Sequence, residues 1–423
     1  ALTATNQKIM RLTNKITYSL FFSICFSIYS LLLQAQTTYN NEWIDYSKPH
    51  YKIKVVNQYL YRIPYSVLEA NGLPLVGAQL KMYCMGQEVP LFVTNEGTLS
   101  ETDYVEFYGA PNDGSFDTRL YSNPQWQINP YQSLFTDTAV YYLTSANPGA
   151  VVSRYQNSAN NISGSLPPKE EYFWYTSYRW LRNVFTGGDP FRNLGGVNNY
   201  HADFGKGEGF TGLLFTEGQT RLYKLNTDKV YTDNPALNAR IATKVVGQSD
   251  DLTNIPDHHL LIEVNNTLHV DTVYEGYDNF TYQIDVPATQ LTDPLTDIEY
   301  TNVADISVAD KSSVAFANIT YPRTFDFSNT RKFLFTISNS TNKYLEITNF
   351  NGGTAPVLYD LTNRLRFIPV VEGGVYKFYL PAVGGGLPTR QLYLSNTSTV
   401  CDIVCALPAC NPANCGVFNV SSI

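Results

Sequence analysis

Histidine and cysteine are scarce in this chain, with five of the first and six of the second among 423 residues. A nucleophilic hydrolase needs a Ser or Cys beside an activating base, and a zinc enzyme needs clustered ligands. None of His50, His201, His258, His259 and His269 is followed by Gly, and there is no Gly-x-Ser-x-Gly elbow, His-Glu-x-x-His helix or phosphate-cradling glycine loop. His258 and His259 are adjacent, and neighbours on a strand point to opposite faces, so a shared metal ion is disfavoured. Basic residues never run longer than two and the net charge is −8, so the Lys/Arg patch that neutralises phosphates is missing and nucleic acid is not an expected partner. Long amphipathic helical patterns are absent too.

The chain is instead rich in Tyr (32) and Phe (23), with abundant Thr, Asn and Val, a composition that favours pleated sheet and its turns. Lys52–Val55, Gln79–Met82 and Asp103–Phe107 alternate polar and apolar residues, as half-buried strands do. Ala139–Leu143 is more continuously apolar. One helical turn is expected at Tyr65–Ala70, after Pro64 and before Asn71-Gly72. His259–Val264, Asn265-Asn266 and Thr267–Val270 read as a tight hairpin. Lys332–Ile337, Tyr344–Thr348, Arg364–Ile368 and Val375–Leu380 are further strands. The expected fold is all-β, with two β-sandwich or jelly-roll-like units and few short helices.

The N-terminus predicts export. Met10–Lys15 is a short basic stretch, Leu20–Leu33 is apolar and uncharged, and Ala35 offers a small residue for cleavage. The apolar run is shorter than the ~20 residues of a membrane span, so residues 10–35 read as a signal peptide, with no transmembrane span left after its removal. An N-terminal β domain is expected over 38–156, a Gly/Ser/Pro-rich linker over 157–170, and a second β-sandwich domain over 171–395. Residues 396–423 form a Cys-rich tail holding Cys401, Cys405, Cys410 and Cys415. Its abrupt change of texture reads first as a fragment end or shifted frame and second as a disulfide-bonded segment; zinc or catalysis ranks behind these. Cys25 lies in the signal peptide, and Cys84 reads as a buried small apolar residue.

Two features invite a ligand. Asn112, Asp113 and Asp117 place three oxygen-bearing side chains around Gly114, a weak calcium candidate beside the plainer reading as an Asx turn. No other cofactor is expected. Tyr172–Trp180 is dense in aromatics; it reads first as a strand packing across a domain interface and second as a binding platform.

Several short motifs then fall in order. Trp43–Tyr46, Lys52–Val55, Tyr61–Ile63, Asn71-Gly72 and Glu88–Leu91 are followed by Asp103-Tyr104-Val105-Glu106-Phe107-Tyr108-Gly109. Asn112–Gly114, Asp117, Leu120-Tyr121, Ser133–Ala139 and Tyr142–Thr144 extend the series. Gly207-Glu208-Gly209, His259 with Val264-Asn265, Tyr321-Pro322-Arg323 and Leu358-Tyr359-Asp360-Leu361-Thr362-Asn363 complete it. In this order they resemble the gingipain-like proteins of Bacteroidetes, which include the gingipain cysteine peptidases and the sortase of the type IX secretion system. The resemblance covers roughly 43–395. It implies a prodomain-like β unit, a second β unit and then a caspase-like domain carrying a His base and a Cys nucleophile. No residue here matches either catalytic position. The resemblance therefore implies the non-catalytic region of an exported peptidase, not an enzyme by itself, with a caspase-like domain in cis or envelope and secretion proteins as partners. Its expected place is the periplasm, the outer-membrane surface or the extracellular space. The alternative is a free-standing envelope adhesin or carbohydrate-binding sandwich.

Overall fold

The computed structural model describes residues 41–192, 198–200, 202–384, 386–396, 400–402 and 417–420. By its contacts the chain divides into residues 1–47 and 48–423. The expected signal peptide lies outside the described residues. Among those described, no helix reaches seven residues and nearly all regular structure is antiparallel strand, so the fold is all-β as the composition requires. No helix among them is long and apolar enough to cross a membrane.

Among the described residues there are five buried hydrophobic clusters, and the three largest follow one another as cores along residues 48–423. The first lies between a sheet built on Tyr51–Val55, Ala139–Ser145, Leu80–Cys84 and Gln87–Val89 and a sheet built on Tyr59–Pro64, Tyr104–Gly109 and Phe92–Val93. Period-two alternation sends Ile53, Val55, Tyr61, Ile63, Leu80, Met82, Val105 and Phe107 inward, and all are essentially fully buried. The one α-helix among the described residues, Tyr65–Ala70, follows Pro64 and gives way at Asn71, with Gly72 at φ +66°.

Residues 171–395 contain two such cores. One lies between the sheet of Phe215–Thr216, Lys311–Thr324, Asn238–Gly247, Asn279–Pro287 and Tyr172–Trp180 and the sheet of Thr220–Asn226, Leu295–Asn302, His258–Val264 and Thr267–Tyr274. The other lies between the sheet of Asp326–Thr330, Lys343–Phe350, Val375–Leu380 and Val370–Glu372 and the sheet of Lys332–Ser338, Thr389–Ser395, Val357–Asp360, Leu365–Phe367 and Gln156–Asn157. Tyr175 packs against both. The hairpin at Asn265-Asn266 has φ +47° and +62°, the left-handed pair that a two-residue turn demands.

The longest strand, Lys311–Thr324, contains Pro322. A proline donates nothing to a ladder. Here the Pro322 carbonyl accepts from Tyr231 N at 2.8 Å, so the backbone at this position faces a loop and no ladder bond is forfeited. Of the Cys-rich tail, Cys401–Asp402 pairs in parallel with Tyr59–Pro64, and Val417–Val420 pairs antiparallel with Tyr51–Val55. Residues 403–416, with Cys405, Cys410 and Cys415, lie outside the described residues.

Candidate functional site

Two of the resemblance motifs, Asp103–Gly109 and Leu358–Asn363, come together where the first and third cores meet. In Tyr104–Gly109 the alternation that sends Val105 and Phe107 into the first core turns Tyr104, Glu106 and Tyr108 the other way, toward Val357–Asp360. Leu60, Phe92, Tyr155, Val357, Tyr359 and Tyr393 form a buried cluster there. Glu106 is only 1 % exposed. Its cross-strand partner Arg62 donates from Nε at 3.0 Å and from Nη2 at 2.6 Å to Oε1. Tyr359 donates its hydroxyl to Oε2 at 2.5 Å and accepts from Arg366 Nε at 3.2 Å. Burial first, and then the Glu106 charge, raise the Tyr359 phenol well above its ordinary pKa. The Arg62 guanidinium lies 4.0 Å from the Tyr104 ring centroid and that of Arg366 lies 4.4 Å from the Phe92 centroid. Beside these groups is a cavity of about 340 Å³ that Arg62, Tyr104, Glu106 and Arg366 help to line.

The other motif residues are also structural ties. Tyr108 accepts from Gln58 Nε2 at 2.5 Å and packs edge-on to Tyr393. Asp103 accepts from the Thr94 hydroxyl and from both the amide and the hydroxyl of Ser100, each at 2.8 Å; these bonds hold its carboxyl below its usual range. Gly109 is required because a Cβ there would sit 2.7 Å from the Tyr61 ring. Gly209, at φ +136°, would carry a Cβ 2.9 Å from Ile128, while Gly207 is at φ +73°. Between them Glu208 accepts from Gly205 N through its carboxylate and from Tyr121 OH through its carbonyl.

Arg323, 2 % exposed, sits where the second and third cores adjoin. It donates to Asp228 Oδ2 at 3.0 Å and to Asp326 O at 2.7 Å, with its guanidinium 4.7 Å from the Phe333 centroid. Tyr321 donates to Asp228 O at 2.9 Å. Asp360, fully buried, accepts from the Asn363 amide and side chain at 2.9 and 2.8 Å and faces Arg390 at 3.4 Å.

The calcium candidates divide. Asp113 accepts from Ser115 N at 2.9 Å, an Asx turn. Asn112 donates to Thr136 O at 2.9 Å, and buried Asp117 accepts from Leu134 N at 2.6 Å, so these two hold the 133–136 loop while Asp113 serves its own turn. The two histidines do face opposite sides of their strand. His258 is fully buried, stacked on Tyr274, with Nδ1 2.6 Å from Asp310 Oδ1 and Nε2 3.0 Å from Gly276 O. His259 lies between Asp305 and Asp271, at 2.8 and 2.9 Å. Burial opposes charge on His258, but the bond and charge of Asp310, the charge of Asp257 and the Ser249 carbonyl outweigh it, and its pKa is raised. Among the described residues no three His, Cys, Asp or Glu side chains are grouped as metal ligands. Cys84 is half-buried against the first core, and burial pushes its thiol up to about 11.

The aromatic strand Tyr172–Trp180 splits by parity. Phe173 and Tyr175 enter or flank the cores, whereas Trp174, Tyr178 and Trp180 remain 44, 53 and 41 % exposed. Cavities of about 600 and 760 Å³ flank the strand, and Trp174 and Thr336 line both.

Sequence reasoning named the right segments but missed their partners. Arg62 lay inside a motif, yet nothing local marks it as the partner of Glu106. Asp228 and Arg366 carry no signal at all, because their pairings span 95 and 7 residues across turns.

No protein-family model matches the chain, and no curated protein matches it. Among solved structures, the dimeric latent PorU of Porphyromonas gingivalis is similar at TM-score 0.52 and 11 % identity, over 84 % of this chain and 32 % of that one. This shows a shared fold, and the chain spans about a third of that protein's length. A family 36 carbohydrate-binding domain of a xylanase from the hindgut metagenome of Trinervitermes trinervoides gives TM-score 0.20 and 10 % identity, over 34 % of this chain and 95 % of that one. A family 86 β-porphyranase from Bacteroides plebeius gives 0.20 and 7 %, over 65 and 35 %. Neither of the latter two scores supports a common fold.

Proposed function

We propose that this chain is the non-catalytic N-terminal region of an exported gingipain-like cysteine peptidase or type IX secretion sortase. It serves as a folding, inhibitory or docking module for a caspase-like domain of the same polypeptide. The observation that carries this reading is the agreement of two independent lines. Motifs in the gingipain-like order run along the sequence, and the chain shares its fold with PorU over 84 % of its length. The physical role follows from Glu106 and Arg323: each is a buried charge hydrogen-bonded across a junction between cores, Glu106 by the Tyr359 hydroxyl and Arg323 by the Asp326 carbonyl, and such groups fix orientation more than they add stability. A rigid β scaffold of this kind suits a surface that templates or covers a neighbour's cleft. On this reading the parent is delivered to the periplasm, the outer-membrane surface or the outside of the cell.

The test is the coding DNA. Downstream sequence in any frame is expected to encode a caspase-like domain with a His-Gly and a later Cys; its absence would refute the proposal. The isolated chain should not react with an active-site thiol probe. Labelling that disappears only on Cys410→Ala or Cys415→Ala would also overturn it.

A further inference from the structure

The strand Tyr172–Trp180 carries a row of side chains on one face: Tyr172, Trp174, Thr176, Tyr178 and Trp180. Successive members are about 6.7 Å apart along an extended strand, so Trp174 and Trp180 are separated by about 20 Å. The rings at both ends are braced. Tyr231 stacks on Tyr172 at 4.9 Å, and Tyr131 lies parallel to Trp180 at 6.0 Å and 5.5 Å from Tyr178. Bracing removes rotamer freedom before any ligand arrives, which lowers the ordering cost of binding.

Between the Trp174 and Tyr178 rings stand hydroxyls. Thr176 is paired in register with Thr320, and their hydroxyl oxygens are 2.8 Å apart. These four residues, with Gln58 and Gln391, help to line the cavity of about 600 Å³. The cavity lining contains no carboxylate or guanidinium. Its one charged residue, Lys332, is engaged elsewhere: Nζ donates to Gln58 O at 2.9 Å and lies 3.3 Å from the Tyr59 centroid.

Exposed aromatic faces suit the apolar C–H faces of pyranose rings, and neutral hydroxyls and amides suit their equatorial hydroxyls. A protein or peptide ligand would be expected to meet complementary charge, which this lining lacks. We propose that the Trp174–Tyr178 face and the adjoining cavity form a binding site for a neutral oligosaccharide. The two rings are about 13 Å apart along the strand, so they stack on non-consecutive sugars of one chain, and the Thr176–Thr320 pair and the glutamines hydrogen-bond to the sugars between them. This inference does not rest on the peptidase-module reading; it holds or fails on the chain's own surface.

The test uses the whole chain and three probes, cellohexaose, xylohexaose and mannohexaose, with a hyaluronan hexasaccharide as the acidic control. Binding is followed by calorimetry and tryptophan fluorescence. At least one neutral probe is expected to bind. Trp174→Ala and Tyr178→Ala should each weaken it at least about tenfold. Tyr178→Phe, which keeps the ring, should retain most of the affinity, and Phe185→Ala, exposed elsewhere, should change nothing. Unchanged melting temperatures separate lost binding from lost folding. No binding by any neutral probe, binding of the acidic control alone, or undiminished binding in the Trp174→Ala/Tyr178→Ala double variant would overturn the proposal.

Discussion

Replacing Tyr359 by Phe removes one oxygen and no packing volume of consequence, yet it cuts the bridge between the first and third cores. The hydroxyl donates to Glu106 at 2.5 Å and accepts from Arg366 at 3.2 Å, in a site where Tyr359 is fully buried and Glu106 is 1 % exposed. Hydrogen bonds to charged groups contribute about 1.5–3 kcal/mol each, and a buried group left without its partner forfeits desolvation energy as well. Tyr359→Phe is therefore expected to cost about 2 kcal/mol. Glu106→Ala is worse, because it strands Arg62 and the Tyr359 hydroxyl together. Breaking a buried ion pair costs about 3–5 kcal/mol, and since the Arg62 side chain is 24 % exposed and partly hydrated, the lower end applies. The assay is urea unfolding followed by fluorescence and circular dichroism, with a Glu106→Gln/Tyr359→Phe double-mutant cycle. Coupling of about 1–2 kcal/mol is expected between these touching groups. Weakening a tie between cores should also split one transition into two. Single variants within about 0.5 kcal/mol of the parent, or strict additivity in the cycle, would refute the reasoning.

Three further outcomes are expected. The raised pKa of His258 means that its charged form is favoured in the fold: the stability it supplies is complete below the unfolded value of about 6.5 and declines as pH rises through the higher folded value. The parent should therefore lose melting temperature over that window while His258→Gln, already destabilised, changes less; equal slopes would contradict the assignment. Gly109→Ala places a Cβ 2.7 Å from the Tyr61 ring carbons and should destabilise by about 1–3 kcal/mol, whereas Gly384→Ala, where a Cβ would meet nothing within 4 Å, should cost far less; urea midpoints of the two variants decide it. The Cys84 thiol, pushed up to about 11 by burial, should stay unmodified by iodoacetamide at neutral pH until urea is added; peptide mapping that finds it alkylated in the folded chain would show the site to be open.

The fold class was legible because alternation is a local property. Tyr172–Trp180, Val375–Leu380 and the Tyr65–Ala70 turn emerge with the bounds read from sequence, and Asn265-Asn266 sits in its hairpin. Lys311–Thr324 was not legible: a proline interrupts it, and Val314–Ile319 is buried on both faces, so period two vanishes. The separation of residues 171–395 into two cores was hidden for a different reason. Phe173 and Tyr175 look alike in sequence, yet Phe173 enters the third core while Tyr175 packs against both. The candidate site was half legible. Tyr104, Glu106 and Tyr359 stand in motifs, but a carboxylate's burial depends on which guanidinium folds back to it, and Arg62 and Arg366 are ordinary strand residues until the cores meet.

The positions of the buried charges bear on how the module works. The junction around Tyr359 is mostly aromatic, and apolar contacts, being non-directional, can be remade in more than one register. Those of a buried carboxylate cannot. Any docking that shifts Val357–Asp360 against Tyr104–Gly109 leaves Glu106 without Tyr359, and any shift at the second junction parts the Arg323 guanidinium from the Asp326 carbonyl. Each wrong arrangement then leaves a buried charge short of a hydrogen bond, while the correct one gains little beyond what apolar packing would supply. Polar ties of this sort select one relative orientation of the cores. That orientation in turn fixes the Trp174–Tyr178 face, since its cavity is lined from the Gln58 loop, the Tyr172–Trp180 strand and the Lys332–Ser338 strand together. Loosening the Glu106 tie should therefore weaken oligosaccharide binding by Tyr359→Phe even though Tyr359 does not line that cavity. Affinity that stays unchanged in a folded Tyr359→Phe variant would show that the two sites are mechanically independent.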